Sequence, residues 1–197
     1  MKAPTVWLRP HPLRRTLEQL NALHDEWKFN CGPASICAVT GLTPEQLRPH
    51  MLDFESRGYT NPTLMFAVLR SLGIRFEVRH FKEHQAGAVE QALRWPLFGL
   101  VRIQWGGSWM KPSVPERARY RHTHWVATAQ RGSSLDQEGL VGHGVFDVNA
   151  VANGSGWIAF DDWKNELVPS LIKEAVPKGD GTWSIAHSVE LLGLVVP

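Results

Sequence analysis

Residues 30–41 read Asn-Cys-Gly-Pro-Ala-Ser-Ile-Cys-Ala-Val-Thr-Gly, and the rest of the chain is organised around this stretch. Pro33 suits a first helical turn, where its missing N–H is not needed. Ala34, Ile36, Cys37, Ala38 and Val39 are apolar, and Gly41 can close the helix in a left-handed conformation. The pattern predicts a buried helix with Cys31 at its N-terminus. Free N–H groups and the positive end of the helix dipole there favour thiolate, and reactive cysteines so placed have a pKa of about 3.5–7.5 instead of about 8.5. A plain core cysteine is the competing reading of the same residue. Cys37 lies six residues further on, which puts its Cα about 9 Å from that of Cys31, outside the roughly 7 Å that a disulfide spans. Cys31 is expected as a free thiol and Cys37 as core.

The chain of 197 residues, 43% apolar with nine tryptophans, is long enough for one well-buried domain and too short for two ordinary ones. A single domain over 1–197 is expected, with 1–14 as an extended, proline-punctuated N-terminal arm. The formal charge of +2 is small and the two signs are interspersed, so nothing points to obligatory nucleic-acid or anionic-membrane binding. The N-terminus lacks the apolar core of a secretory signal, and no segment is apolar for long enough to span a bilayer. A soluble, cytoplasmic protein is expected, and two cysteines that cannot pair within one helix agree with a reducing compartment. Oligomeric state leaves no signal.

Leu17, Leu20 and Leu23 fall at helical spacing in a run from Thr16 to about His24. Thr43-Pro44-Glu45-Gln46 offers an N-cap, a first-turn proline and a capping-box glutamine for a short helix through Met51. A turn over 58–62 starts another helix, with Leu64, Val68 and Leu72 on one face and Gly73 at its end. Alternation from Ile74 to His80 then marks a strand. A brief helix over 88–95, a more central strand over 97–105 and a loop over 106–121 are expected next. His122 to Gln130 and Val141 to Asn149 read as neighbouring antiparallel strands. A helix from Asp161 should be interrupted or ended by Pro169, and the last strand should carry Trp183, Ile185, His187, Val189 and Leu191 on one face, with His187 packed.

A cysteine nucleophile requires a base that takes and returns its proton, held in turn by a third polar group. His122 and His124 sit two apart on one strand, and Asp147 and Asn149 two apart on the next, so each pair is expected to share a face. Antiparallel pairing lets a histidine meet a carboxylate or an amide across the ladder. The same histidines also admit a metal site, with His143 or Asp147 as a further ligand, but no additional Cys or His spacing supports one, and no metal or cofactor is expected.

Asn30-Cys31-Gly32-Pro33-Ala34, His124-Trp125-Val126 and Val145-Phe146-Asp147 resemble the three motifs of papain-like cysteine peptidases, especially the branch that cleaves bacteriocin leader peptides and its stand-alone bacterial relatives. The resemblance runs from about Asp25 to Trp163. It implies an α+β papain-like fold, with an N-terminal helical part carrying the cysteine packed on an antiparallel sheet carrying His and Asp. It also implies Cys31 as nucleophile, His124 as base and acid, and Asp147 as orienting carboxylate, with Asn149 as the alternative. His124 is preferred to His122 because it directly precedes the aromatic residue of the motif.

One departure matters. These enzymes carry a glutamine five or six residues before the cysteine, completing the oxyanion hole, and here Asp25 and Glu26 occupy those positions. Asn30 and the indole of Trp27 are the substitute donors considered, beside the Cys31 N–H. Aligned on the papain Cys-Gly-Ser-Cys signature instead, Cys31 falls on a structural cysteine and Ala34 on the nucleophile, which implies an inactive protein. The leading expectation is a thiol hydrolase cleaving a peptide or isopeptide bond of a protein or peptide substrate through an acyl-enzyme. The alternatives are a transferase using the same intermediate and an inactive binding module. The basic residues from Lys111 to Arg121 read as a solvated loop.

Overall fold

The computed structural model describes residues 5–81, 94–114, 122–130 and 142–195. All but the last two residues of the helix expected over 88–95, and the segments 115–121 and 131–141, lie outside the described residues.

Four helix starts carry a side-chain cap. Thr16 and Gln19 form a reciprocal capping box ahead of α1 (Leu17–Trp27), and Asn30 caps α2 (Cys31–Thr40). Thr43 and Gln46 form a second box at α3 (Pro44–Leu47), which a 3-10 turn (Arg48–His50) prolongs. After α4 (Phe54–Arg57), Asn61 caps α5 (Pro62–Ser71), whose first residue is proline.

The strands are β1 (Ile74–Phe81), β2 (Phe98–Trp105), β3 (Thr123–Gln130), β4 (His143–Phe146), β5 (Trp157–Ala159) and β6 (Trp183–Leu194). They form one antiparallel sheet in the order β1-β6-β2-β3-β4-β5. The fold class is α+β. One face is covered by the N-terminal helices, with Ile36, Val39, Leu47, Met65 and Leu69 packed on Leu100, Ala127 and Phe146. The other face is covered by α6 (Val168–Glu174) and the turns before it, with Trp163, Val168 and Ile172 packed on Val101, Ile103, Val126 and Val145. Among the described residues no helix is long and apolar enough to cross a membrane.

Pro169 interrupts its helical run and does not end it: it sits in the first turn of α6, directly after a π-helical turn over Trp163–Leu167. The wider turn relieves the i−4 carbonyl clash and the lost N–H that make an interior proline costly. The alternation of β6 is also broken, because a register shift between Arg102 and Ile103 on β2 moves Ile185 to the second core while Val189 and Leu191 face the first. His187 is buried, as expected.

The arm is part of the framework of α2. Its Trp7, Arg9 and His11 N–H groups donate to the carbonyls of Thr40, Val39 and Ala38, and the Gly41 N–H donates to Cys37, so all four terminal carbonyls of α2 are satisfied. Gly41 is left-handed (φ 71°) and the His11 ring closes over it. Leu13 N–H then reaches Ser155 and the Trp157 indole donates to His11, tying the arm to β5.

Candidate functional site

Cys31 is the first residue of α2, and Gly32 to Thr40 behind it are buried throughout. Asn30 fixes this end twice: its Oδ1 accepts from the Gly32 N–H at 3.2 Å, and its Nδ2 donates to the Gly58 carbonyl at 3.0 Å. Gly32 is required by packing, because a Cβ there would stand 2.2 Å from Thr60 Oγ1. Thr60 in turn accepts from the Trp125 indole at 2.8 Å through its carbonyl, and Ser35 Oγ donates to the Trp125 carbonyl at 3.2 Å. Helix α2 is thereby keyed to β3 beside His124.

The structure brings Cys31, His124 and Asp147 together. His124 Nε2 donates to Asp147 Oδ2 at 2.9 Å, and the ring is also hydrogen bonded to the Cys31 thiol, which leaves Nδ1 as the nitrogen facing sulfur. The backbone N–H of Trp125 adds a further hydrogen bond to Cys31. Asp147 is fully buried at the end of β4, where its carboxylate is saturated. Oδ1 accepts from the Asn149 backbone and side-chain amides, both at 2.9 Å, and Oδ2 accepts from the Trp163 indole at 2.9 Å beside His124.

The electrostatics of the three groups are mutual. Burial pushes the Cys31 thiol up, but the imidazolium of His124, its hydrogen bond and the Trp125 N–H outweigh that, and the pKa falls below its ordinary value. Burial alone would depress His124; the carboxylate of Asp147 and the thiolate of Cys31 reverse this and hold it well above the ordinary imidazole range. Asp147 is kept below the usual carboxylate range, since His124, Trp163 and Asn149 together overcome the penalty of burial. All three directions favour a thiolate–imidazolium pair. Cys37 is the opposite case: buried among apolar groups, its thiol is pushed far up.

Several expected positions need correction. His122 does not share a strand face with His124, because it lies before β3 in the left-handed region (φ 57°), with its ring against Trp109 at 4.3 Å between centroids. His143 stacks on Phe160 and is hydrogen bonded to Thr128. Three imidazoles expected as possible co-ligands thus have three different sets of partners, and among the described residues no group of three or more His, Cys, Asp or Glu stands together in a metal-binding arrangement. Asn149 is not on a strand beside Asp147. It lies on the 3-10 turn over Val148–Asn153 that Asp147 caps, and it serves the carboxylate instead of reaching His124. Of the substitute oxyanion donors, Asn30 lines the cleft with one amide N–H given to Gly58 and the second left over, while the Trp27 ring is buried against Phe29 and Phe54 under the Arg48 guanidinium. The backbone N–H of Cys31 is a further donor, in the first turn with no intrahelical acceptor.

Trp163 was not among the expected site residues. Nothing in its spacing marks it, whereas Asp147-x-Asn149 carries an N-cap signature that foretells the 3-10 turn.

Cys31 and His124 open onto a cleft of about 470 Å³, whose far wall is one face of α1: Leu17, Leu20, Asn21 and His24. Leu17, one of the three leucines at helical spacing, is 62% exposed at its rim. A partly exposed thiol at a helix N-terminus, hydrogen bonded to a histidine that a buried carboxylate orients, is an arrangement able to perform nucleophilic acyl transfer. No family model, curated protein or solved structure matches the chain.

Proposed function

We propose that this protein is a papain-like thiol hydrolase that cleaves a peptide or isopeptide bond through an acyl-enzyme on Cys31. The observation that carries the reading is the hydrogen-bonded file from the Cys31 thiol through His124 to Asp147 Oδ2, open to a cleft at the thiol end and closed by burial at the carboxylate end. Thiolate sulfur attacks the substrate carbonyl carbon, and the Cys31 N–H hydrogen-bonds the developing oxyanion. As the tetrahedral adduct collapses, the carbon–nitrogen bond breaks and His124 gives its Nδ1 proton to the departing amine. Water then enters, loses a proton to His124 and attacks the thioester carbonyl; the acid leaves and the thiolate–imidazolium pair is restored. Asp147 keeps its charge throughout and holds the ring so that Nδ1 faces sulfur.

The missing upstream glutamine removes one expected oxyanion donor, a deletion that typically costs about 10²–10³ in rate, so turnover should be slow and the acyl-enzyme long-lived. The test is acylation by p-nitrophenyl acetate followed by mass spectrometry of the intact and digested protein. An acetyl group on Cys31, absent in Cys31→Ala and in His124→Ala, is the expected result. A folded protein that releases nitrophenol no faster than its Cys31→Ala variant, with no acetyl-Cys31, would refute the reading.

A further inference from the structure

The cleft beside Cys31 has a wall that the reaction itself does not use. Leu17, Leu20, Asn21 and His24 follow one another at i, i+3, i+4 and i+7, a single stripe of α1, and Phe29 and Val148 complete the apolar lining. The acidic residues of the helix lie elsewhere: Glu26 pairs with Arg48, and neither Glu18 nor Asp25 lines the cleft. Among the described residues, no Asp, Glu, Lys or Arg lines it at all. Away from the Cys31–His124 pair, a formal charge laid against the leucines of this wall would lose hydration without gaining a carboxylate, ammonium or guanidinium partner.

The polar groups on the wall are mostly committed. Asn30 gives one amide N–H to Gly58, Asn149 gives one to Asp147, and His24 Nδ1 donates to the Phe29 carbonyl. The Asn21 amide is engaged by no described residue, and it stands beside Leu17 at the edge of the same stripe. A primary amide offers one acceptor and two donors, which suits the C=O and N–H of a peptide group. Leu17, exposed at the rim, has apolar surface that the fold does not cover.

From this wall we infer that the cleft takes an uncharged peptide segment, with an apolar side chain against Leu17, Leu20 and Val148 and a backbone amide hydrogen bonded to Asn21. The inference rests on the thiol-hydrolase reading for its reaction, but not for its binding surface, and the experiment separates the two. Alkylation of Cys31 is measured with iodoacetamide and with iodoacetylated leucinamide, glutamic acid amide and lysinamide, so that one warhead carries three tails. Expressed relative to iodoacetamide in each protein, the leucine reagent should react at least tenfold faster than either charged one. Leu17→Glu should reduce that preference at least fivefold and Asn21→Ala several-fold, while Leu192→Glu, an exposed leucine on β6 outside the cleft, should retain it. Equal rates for the three tails, or a preference that ignores Leu17→Glu, would overturn the inference. If iodoacetamide fails to modify the folded protein, the hydrolase reading falls, and binding decides this one: acetyl-leucyl-leucinamide is titrated into Cys31→Ala by NMR. Shifts at Leu17, Asn21 and Val148 that vanish in Leu17→Glu uphold it; no shifts at millimolar peptide reject it.

Discussion

The indole N–H of Trp163 and the ring of His124 donate to the same atom, Asp147 Oδ2, each at 2.9 Å. The shared oxygen stabilises the ionised carboxylate and leaves it no freedom to turn away from the histidine. Charge-assisted hydrogen bonds of this kind contribute about 1.5–3 kcal/mol each in buried sites. Trp163→Phe keeps a large ring in the second core and removes only the donor. The expected result is a higher Asp147 pKa, a lower His124 pKa and a fall of about three- to tenfold in the rate of Cys31 alkylation near neutral pH. A pH–rate profile that superimposes on the wild type would show that the indole only fills space.

Asp147 and Asn149 should separate cleanly in the same assay. Asp147→Asn retains shape but removes the charge that raises His124, and an opposite charge at this distance is worth about 1–3 pKa units. The imidazolium, and with it the thiolate, should be depopulated, so that alkylation at pH 7 slows tenfold or more and its pH midpoint moves up. Asn149→Ala removes one of two donors to Oδ1 and keeps the backbone N–H, so a smaller effect, about threefold, is expected. The reverse order would make Asn149 the orienting group.

What could be read from the sequence follows from range. Helix boundaries are written in residues three or four apart, and Thr43 with Gln46, Asn61 before Pro62 and Gly41 after Thr40 all stand where their chemistry predicts. The closeness of Cys31, His124 and Asp147 was legible only in outline, because it depends on β3 pairing with β4 and on α2 lying against β3. The place of β6 between β1 and β2 was not, since no local pattern specifies which distant strands pair. The misread positions share a cause. His122 and Asn149 are placed on strand faces by extending a regular period one step past the point where the backbone leaves it.

Gly32 next to the nucleophile is a packing requirement with a calculable partner. In Gly32→Ala the new methyl meets Thr60 Oγ1 and Cβ at 2.2 and 2.6 Å, too close for a neighbour wedged between α2 and Trp125 to accommodate in place. Overpacking of this kind costs about 1–3 kcal/mol. The variant should lose that much in chemical unfolding, and Thr60→Gly should recover part of it in the double variant although it destabilises the protein alone. Strict additivity of the two changes would place the clash elsewhere.

His143 should make stability depend on pH between its folded pKa of about 4 and the unfolded value of about 6.5. Burial, opposed in part by Asp161, lowers its pKa to about 4, against about 6.5 unfolded. Between these values the unfolded chain binds a proton that the folded chain refuses, so stability is fully present above pH 6.5 and is lost as pH falls toward 4. The ring keeps some contact with solvent, so the contribution is discounted to about 1–2 kcal/mol. Asp147, with a depressed folded pKa, contributes in the same sense but in a lower window: its share is present above the unfolded value near 3.9 and is lost only below it. His11, also lowered by burial, and His124, which is raised, contribute between pH 7.0 and 4.5 as well, so unfolding in urea at these two pH values isolates His143 only through comparison of variants. His143→Phe preserves the stack on Phe160, whose rings lie 4.3 Å apart at 9°, and should lose about 1–2 kcal/mol less than the wild type between the two pH values. His143→Gln, which can still hydrogen-bond Thr128 Oγ1, should show the same flattening if titration is the cause. Equal losses in all three proteins would assign the acid sensitivity to other groups.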